Sequence, residues 1–168
     1  MRPVGLAEFS TTTSKASTSG TSENTFGSSV KTSAPALAVI SVSSAGTAWG
    51  GGNLYARPYD TDGDPATFSQ AERGAIAEIW HRVAEDFAPF DVDVTTEEPA
   101  QFTSTTGRIL ITRDDDEFGA SMPHAGAGGV AYVNVWGRTG TYDYAYYSPA
   151  FVYYDNLGNG QPRYVAEA

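Results

Sequence analysis

The segment from Ser69 to Pro89 constrains the fold more than any other part of the chain. Ser69 with Glu72 three residues on has the form of a capping box, in which the serine oxygen meets an orphan amide and the glutamate reaches back to the serine N–H. Behind it, Ile76, Ile79, Trp80, Val83 and Phe87 recur at helical spacing and share one face. Glu78 and Arg82 sit at i,i+4 on the wet side in the favourable order. Pro89 ends the pattern, because the residue before a proline avoids helical angles. The spacing predicts a helix over 70–87 with one apolar stripe, and that stripe needs a sheet or another helix to cover it.

Strand patterns flank the helix. PALAVISV (35–42) is a short apolar, β-branched run that reads as a buried strand. DVDVTT (91–96) alternates acid and valine with period two. GRILIT (107–112), GGVAYVNVW (128–136) and PAFVYY (149–154) read as three more strands. SSAGTAWGGGN (43–53) reads as a Gly-rich loop, and LYARPYD (54–60) as a short edge strand, where Pro58 is tolerated best. A strand, a helix and a strand imply a right-handed parallel crossover. The later strands, with no helix between them, allow an antiparallel edge. The expected class is α/β (α+β): a twisted open mixed sheet of about five strands with one long helix packed on it. PRYVAEA (162–168) reads as the opening of a further helix, with Pro162 near its start.

Residues 10–33 hold fifteen Ser or Thr in twenty-four positions. Such a segment buries too little apolar surface to offset its ordering entropy, so residues 1–34 are expected to be a flexible leader or linker. Residues 35–168 are then the folded domain. With twenty Asp+Glu against ten Lys+Arg, the net charge is −10. Nucleic acid is not an expected partner, since phosphate binding needs cations to displace counterions. Docking on an anionic membrane is disfavoured for the same reason. No apolar run approaches the ~20 residues of a membrane span, and the start MRPVGLAEFS has no apolar signal-peptide core. The chain has no cysteine, so disulfides, thiolate metal sites and cysteine nucleophiles are excluded.

Few residues are candidates for chemistry. His81 lies between Glu78 and Glu85 on the polar side of the helix. A His and a Glu at i,i+4 can form two arms of a zinc site, but a solvated histidine among acids is the simpler reading. His124 sits in the loop SMPHAGAGG, a better place for a functional histidine than a core. Asp60, Asp62 and Asp64 alternate in DTDGDP and are Ca²⁺ candidates, since alternate carboxylates can converge on an oxygen-seeking cation. The EF-hand pattern fails, with Pro65 and Ala71 at the places of its glycine and glutamate, and the competing reading is an Asp/Gly turn. DDDE (114–117) is a second acidic loop. Tyr142, Tyr144, Tyr146 and Tyr147 crowd the segment before the last strand, to line a pocket or to pack over the sheet edge. Neither a G-x-S-x-G elbow nor a phosphate-binding G-x-x-x-x-G-K-[ST] loop is present.

In order and spacing, IWHRVAEDFAPFDVDVTTEEP (79–99), GRILITR (107–113), GGVAYVNVWG (128–137) and YYSPAFVYYDNLGNGQPRYVAEA (146–168) resemble secreted bacterial zinc metallopeptidases of the metzincin, reprolysin-like type. The resemblance covers about residues 53–168. It implies the upper subdomain of such a catalytic domain, an extracellular parent protein, and a protein or peptide substrate. It also implies that the strand begun by Gly128, Gly129, Val130, Ala131, Tyr132 and Val133 holds extended substrate by main-chain pairing. The family's next helix carries H-E-x-x-H-x-x-G-x-x-H, whose three histidines bind zinc and whose glutamate is the general base. No such motif occurs in residues 1–168, and neither His81 nor His124 aligns with it. The expectation is therefore a zinc endopeptidase in the full-length parent, with this stretch alone inactive and free of zinc. The alternative is a non-catalytic extracellular module that binds peptides or polysaccharides through its strand edge and tyrosines.

Overall fold

The helix that dominates the sequence is α1, Gln70–Phe87. In the computed structural model, which describes residues 36–41, 46–50, 52–137 and 147–168, both halves of its capping box are formed. The Glu72 amide donates to Ser69 Oγ at 3.3 Å, and the Ser69 amide donates to Glu72 Oε2 at 2.8 Å. Ile79 is buried, and Ile76, Trp80, Val83 and Phe87 pack half-buried around it. The Trp80 indole N–H also donates to the Val94 carbonyl at 2.8 Å, which ties the helix to the strand that follows it. The leader over residues 1–34 and Tyr142, Tyr144 and Tyr146 lie outside the described residues.

α1 covers a five-stranded mixed sheet. Its strands are β1 (Ala36–Ser41), β4 (Val92–Thr95), β5 (Thr106–Thr112), β6 (Gly129–Val130) and β7 (Ala150–Tyr153). They stand in the order β4-β1-β5-β7-β6. The first four are mutually parallel, and β6 is antiparallel to β7. The β1–α1–β4 crossover and the antiparallel edge agree with the expected architecture.

Parallel strands are stable only when both faces are covered, and period-two alternation sorts the side chains accordingly. Ile109 and Ile111 of β5, with Val152 and Tyr154 at β7, face α1 and the closing helix α2 (Pro162–Glu167), where Val165 joins them. Leu110 of β5, with Phe151 and Tyr153 of β7, faces the other way into a second cluster with Ala56 and Met122. α2 begins as expected, with Pro162 in its first turn.

Two expectations are corrected. The described residues of the Gly-rich stretch 43–53 form strands, not a loop. Gly46–Trp49 (β2) and Gly52–Tyr55 (β3) form an antiparallel hairpin, and residues 54–60 add only Leu54 and Tyr55 to it, with an Ala56–Asp116 bridge beyond. The reason lies in the second face of the sheet. Trp49 and Leu54 lie over the Leu110–Phe151 cluster, and Gly50, at φ +59°, turns the chain between the strands. Nor is 128–136 a long strand. β6 stops after Val130, Asn134 adopts a left-handed φ of +60°, and the chain leaves the edge to lay Trp136 over Gly107. Among the described residues no helix is long and apolar enough to cross a membrane.

Candidate functional site

Among the described residues β6 is an edge strand of the sheet, paired only with β7. The Tyr153 amide donates to the Gly128 carbonyl at 2.8 Å, and Gly129 and Val130 stand opposite Val152 and Phe151. Because backbone groups alternate in direction along an antiparallel strand, Gly129 turns its N–H and C=O away from β7. A Cβ on Gly129 would sit 2.5 Å from the Phe151 carbonyl oxygen, so only glycine permits this close pairing. Of the expected substrate-binding residues, Gly129 and Val130 form the edge strand, Gly128 pairs with Tyr153 just before it, and Ala131 lies past its end. Tyr132 and Val133 depart from it, and Val133 is 82% exposed. Tyr132 lies tilted at 35° against Trp49 with ring centroids 4.8 Å apart and meets Tyr147 edge-on at 5.0 Å. An aromatic group thus stands beside the edge, assembled partly from the hairpin that the sequence did not reveal.

Zinc does not fit the described residues. His81 is exposed and pairs with Glu85 at 3.5 Å, and His124 is exposed on a loop with φ +54°. The groups of acidic side chains that approach closely enough to share a cation contain no histidine. They are all-carboxylate sets, a hard-oxygen environment unlike the nitrogen and sulfur ligands of a zinc centre.

Of the three Ca²⁺ candidates, Asp60 and Asp62 come together with Glu72, and Asp64 is not in that group. One oxygen of each Asp already accepts from the backbone. Asp60 Oδ1 accepts from the Asp62 and Gly63 amides at 3.1 and 2.7 Å, Asp62 Oδ1 from the Asp64 amide at 3.1 Å, and Asp64 Oδ1 from the Ala66 amide at 3.2 Å. This is the geometry of successive Asp turns. Glu72, only 1% exposed, accepts at Oε1 from the Thr61 amide at 2.7 Å and at Oε2 from Ser69. Burial pushes its carboxyl up, but the Thr61 and Ser69 hydrogen bonds prevail and hold it below its ordinary value.

Asp114, Asp115 and Asp155 form the second acidic group. Arg57 pairs with Asp115 at 2.9 Å and Arg113 with Asp115 at 2.9 Å. Burial, and then the Asp114 charge, push the Asp155 carboxyl up. The sequence placed Asp114 in an acidic loop and left Asn156 unmarked. In the fold the two meet through a 3.1 Å hydrogen bond, forty-two positions apart in the chain, and local pattern carries no signal for such a pairing.

Comparison of the chain with protein-family models, with curated proteins and with solved structures gives no match.

Proposed function

We propose that residues 35–168 are the substrate-docking part of an extracellular zinc-dependent endopeptidase domain of the metzincin type, and that the zinc ligands of the parent protein are not among these residues. One observation carries the reading: a single antiparallel strand, rich in glycine, edges a four-stranded parallel sheet. It is followed by β7 and then by a helix opening at Pro162. This is the order implied by the resemblance in the residues of β5, β6, β7 and α2. The edge offers main-chain groups, which take hold of extended peptides with little regard to their side chains. The long helix packs on one face, Trp49 and Leu54 of the hairpin pack on the other, and among the described residues β6 pairs on one side only, with β7.

A second reading is a non-catalytic module that docks peptides on the same edge, with Trp49, Tyr132 and Tyr147 as a stacking surface. Both readings require docking at β6. The test is amide exchange by NMR on the 168-residue chain titrated with unfolded β-casein, which offers many extended segments. Slowed exchange of the Gly129 amide is expected. An unchanged β6 with protection elsewhere, or no protection at all, overturns both. A chain that docks peptide and cleaves it only when prolonged by a histidine helix is the peptidase. One that docks peptide and stays inert when so prolonged is the module.

A further inference from the structure

We infer that Asp114 and Asn156 are positioning residues for peptide docking, forming a clamp that fixes the backbone leading into the β6 edge. The inference rests on the reading of β6 as a docking edge. Asp114 Oδ2 accepts from the Gly126 amide at 3.0 Å and from Asn156 Nδ2 at 3.1 Å. Asn156 Nδ2 also donates to the Ala127 carbonyl at 2.9 Å. Two consecutive residues, immediately before Gly128, are thereby held from the side by one carboxylate and one amide.

The rest of the loop explains why a clamp is needed there. Met122 is buried, and its amide donates to the Asp114 carbonyl at 2.8 Å. From it the chain makes two tight turns, Ala125 N–H to the Met122 carbonyl and Ala127 N–H to the His124 carbonyl, each at 3.1 Å. His124 and Gly126 take positive φ of 54° and 90°. The chain from Gly126 to Gly129 contains three glycines and one alanine, a sequence with little stiffness of its own. β6 itself is two residues long, so few ladder bonds set its register. The hydrogen bonds of Asp114 and Asn156 supply the missing constraint. Both residues are anchored in turn: Asp114 directly follows the β5 strand and its adjoining Arg113, and Asn156 closes the 3-10 turn Tyr154–Asn156 after β7. The clamp therefore links the exits of two central strands to the entry of the edge. An edge held in one register offers an incoming peptide a preformed template, and ordering it beforehand removes an entropic cost from binding.

Asn156 is exposed, so changing it leaves the core intact. Asn156→Ala removes the donor. Asn156→Asp keeps the shape but sets a second acid against Asp114. Asn156→Gln keeps an amide donor on a longer arm. The wild-type chain and the three variants are compared by thermal melting, by amide exchange over residues 126–130, and by fluorescence anisotropy with fluorescein-labelled β-casein. N156A and N156D are expected to exchange faster at Gly126 to Val130, with α1 and β5 unchanged. Each should bind casein about tenfold more weakly at little cost in melting temperature, and N156Q should recover at least part of the affinity. Wild-type binding with equal affinity in N156A and N156D overturns the clamp and leaves the docking edge standing. A wild-type chain that binds no casein removes the docking edge and the clamp with it. Loss of affinity that only tracks a general loss of melting temperature, with no local change over 126–130, also overturns the clamp, because the role is then structural.

Discussion

Replacing Glu72 tests how the fold joins its helix to the loop before it. The side chain is almost fully buried and accepts hydrogen bonds on both oxygens, from Thr61 on one and Ser69 on the other. Glu72→Ala removes the reciprocal half of the capping box, worth about 1 kcal/mol. It also removes a charge-assisted bond to the Thr61 amide, worth about 1.5–3 kcal/mol. The expected loss is about 3 kcal/mol. Glu72→Gln keeps the shape and part of the accepting capacity and is expected to lose about 1–2 kcal/mol. The effect has a pH signature. The folded carboxyl lies below its ordinary value of 4.5, so the folded state binds fewer protons there than the unfolded chain. Its contribution is full above the unfolded value and is lost as pH falls from there through the folded value. Urea melts followed by tryptophan fluorescence, at pH 7 and stepwise down to pH 3, give both quantities. A loss below 1 kcal/mol for E72A at pH 7, or a wild-type-minus-E72A difference that stays constant as pH falls below 4.5, refutes the reasoning.

Trp80→Ala should cost about 3 kcal/mol in the same melts, since it empties packing on the sheet and breaks the indole bond to Val94. Trp80→Phe keeps a ring in the packing but loses the indole donor and should lose about 1 kcal/mol; no loss for Trp80→Phe would show that the indole bond contributes nothing, and equal costs for the two would show that the packing does not. Gly129→Ala should part β6 from β7, because the new Cβ meets the Phe151 carbonyl; amide exchange should rise at Val130 and Tyr153 while α1 keeps its protection. The 168-residue chain should take up no Zn²⁺ at micromolar concentration by calorimetry, since neither histidine joins a converging ligand set among the described residues.

The elements that the sequence made legible are those whose signal is local. α1 has both a capping box and a periodic apolar stripe, and its bounds of 70–87 follow from them. β5 and β7 are short apolar runs, and the parallel crossover follows from the order of β1, α1 and β4 along the chain. The hairpin was hidden because its glycines imitate a loop. What makes it a hairpin is non-local, the seat of Trp49 and Leu54 on the far face of the sheet. The short length of β6 was hidden for the converse reason. AYVNVW has strand composition, yet Tyr132 finds Trp49 and Trp136 finds Gly107, and those contacts draw the chain off the edge. At the candidate site, glycine at 128 and 129 was readable as close backbone approach, whereas the Asp114–Asn156 pairing depends on three strands being assembled first.

The most direct measurement joins metal and chemistry. The chain prolonged past Ala168 by the codons that follow in its gene is titrated with Zn²⁺ and assayed on β-casein, beside the 168-residue chain. If those codons supply the histidine helix, the prolonged chain should bind one zinc per molecule and cleave casein in a chelator-sensitive way, while the shorter chain does neither. Zinc binding and cleavage by the 168-residue chain alone would contradict the proposal, and so would a prolonged chain that binds zinc, docks casein at β6 and leaves it intact.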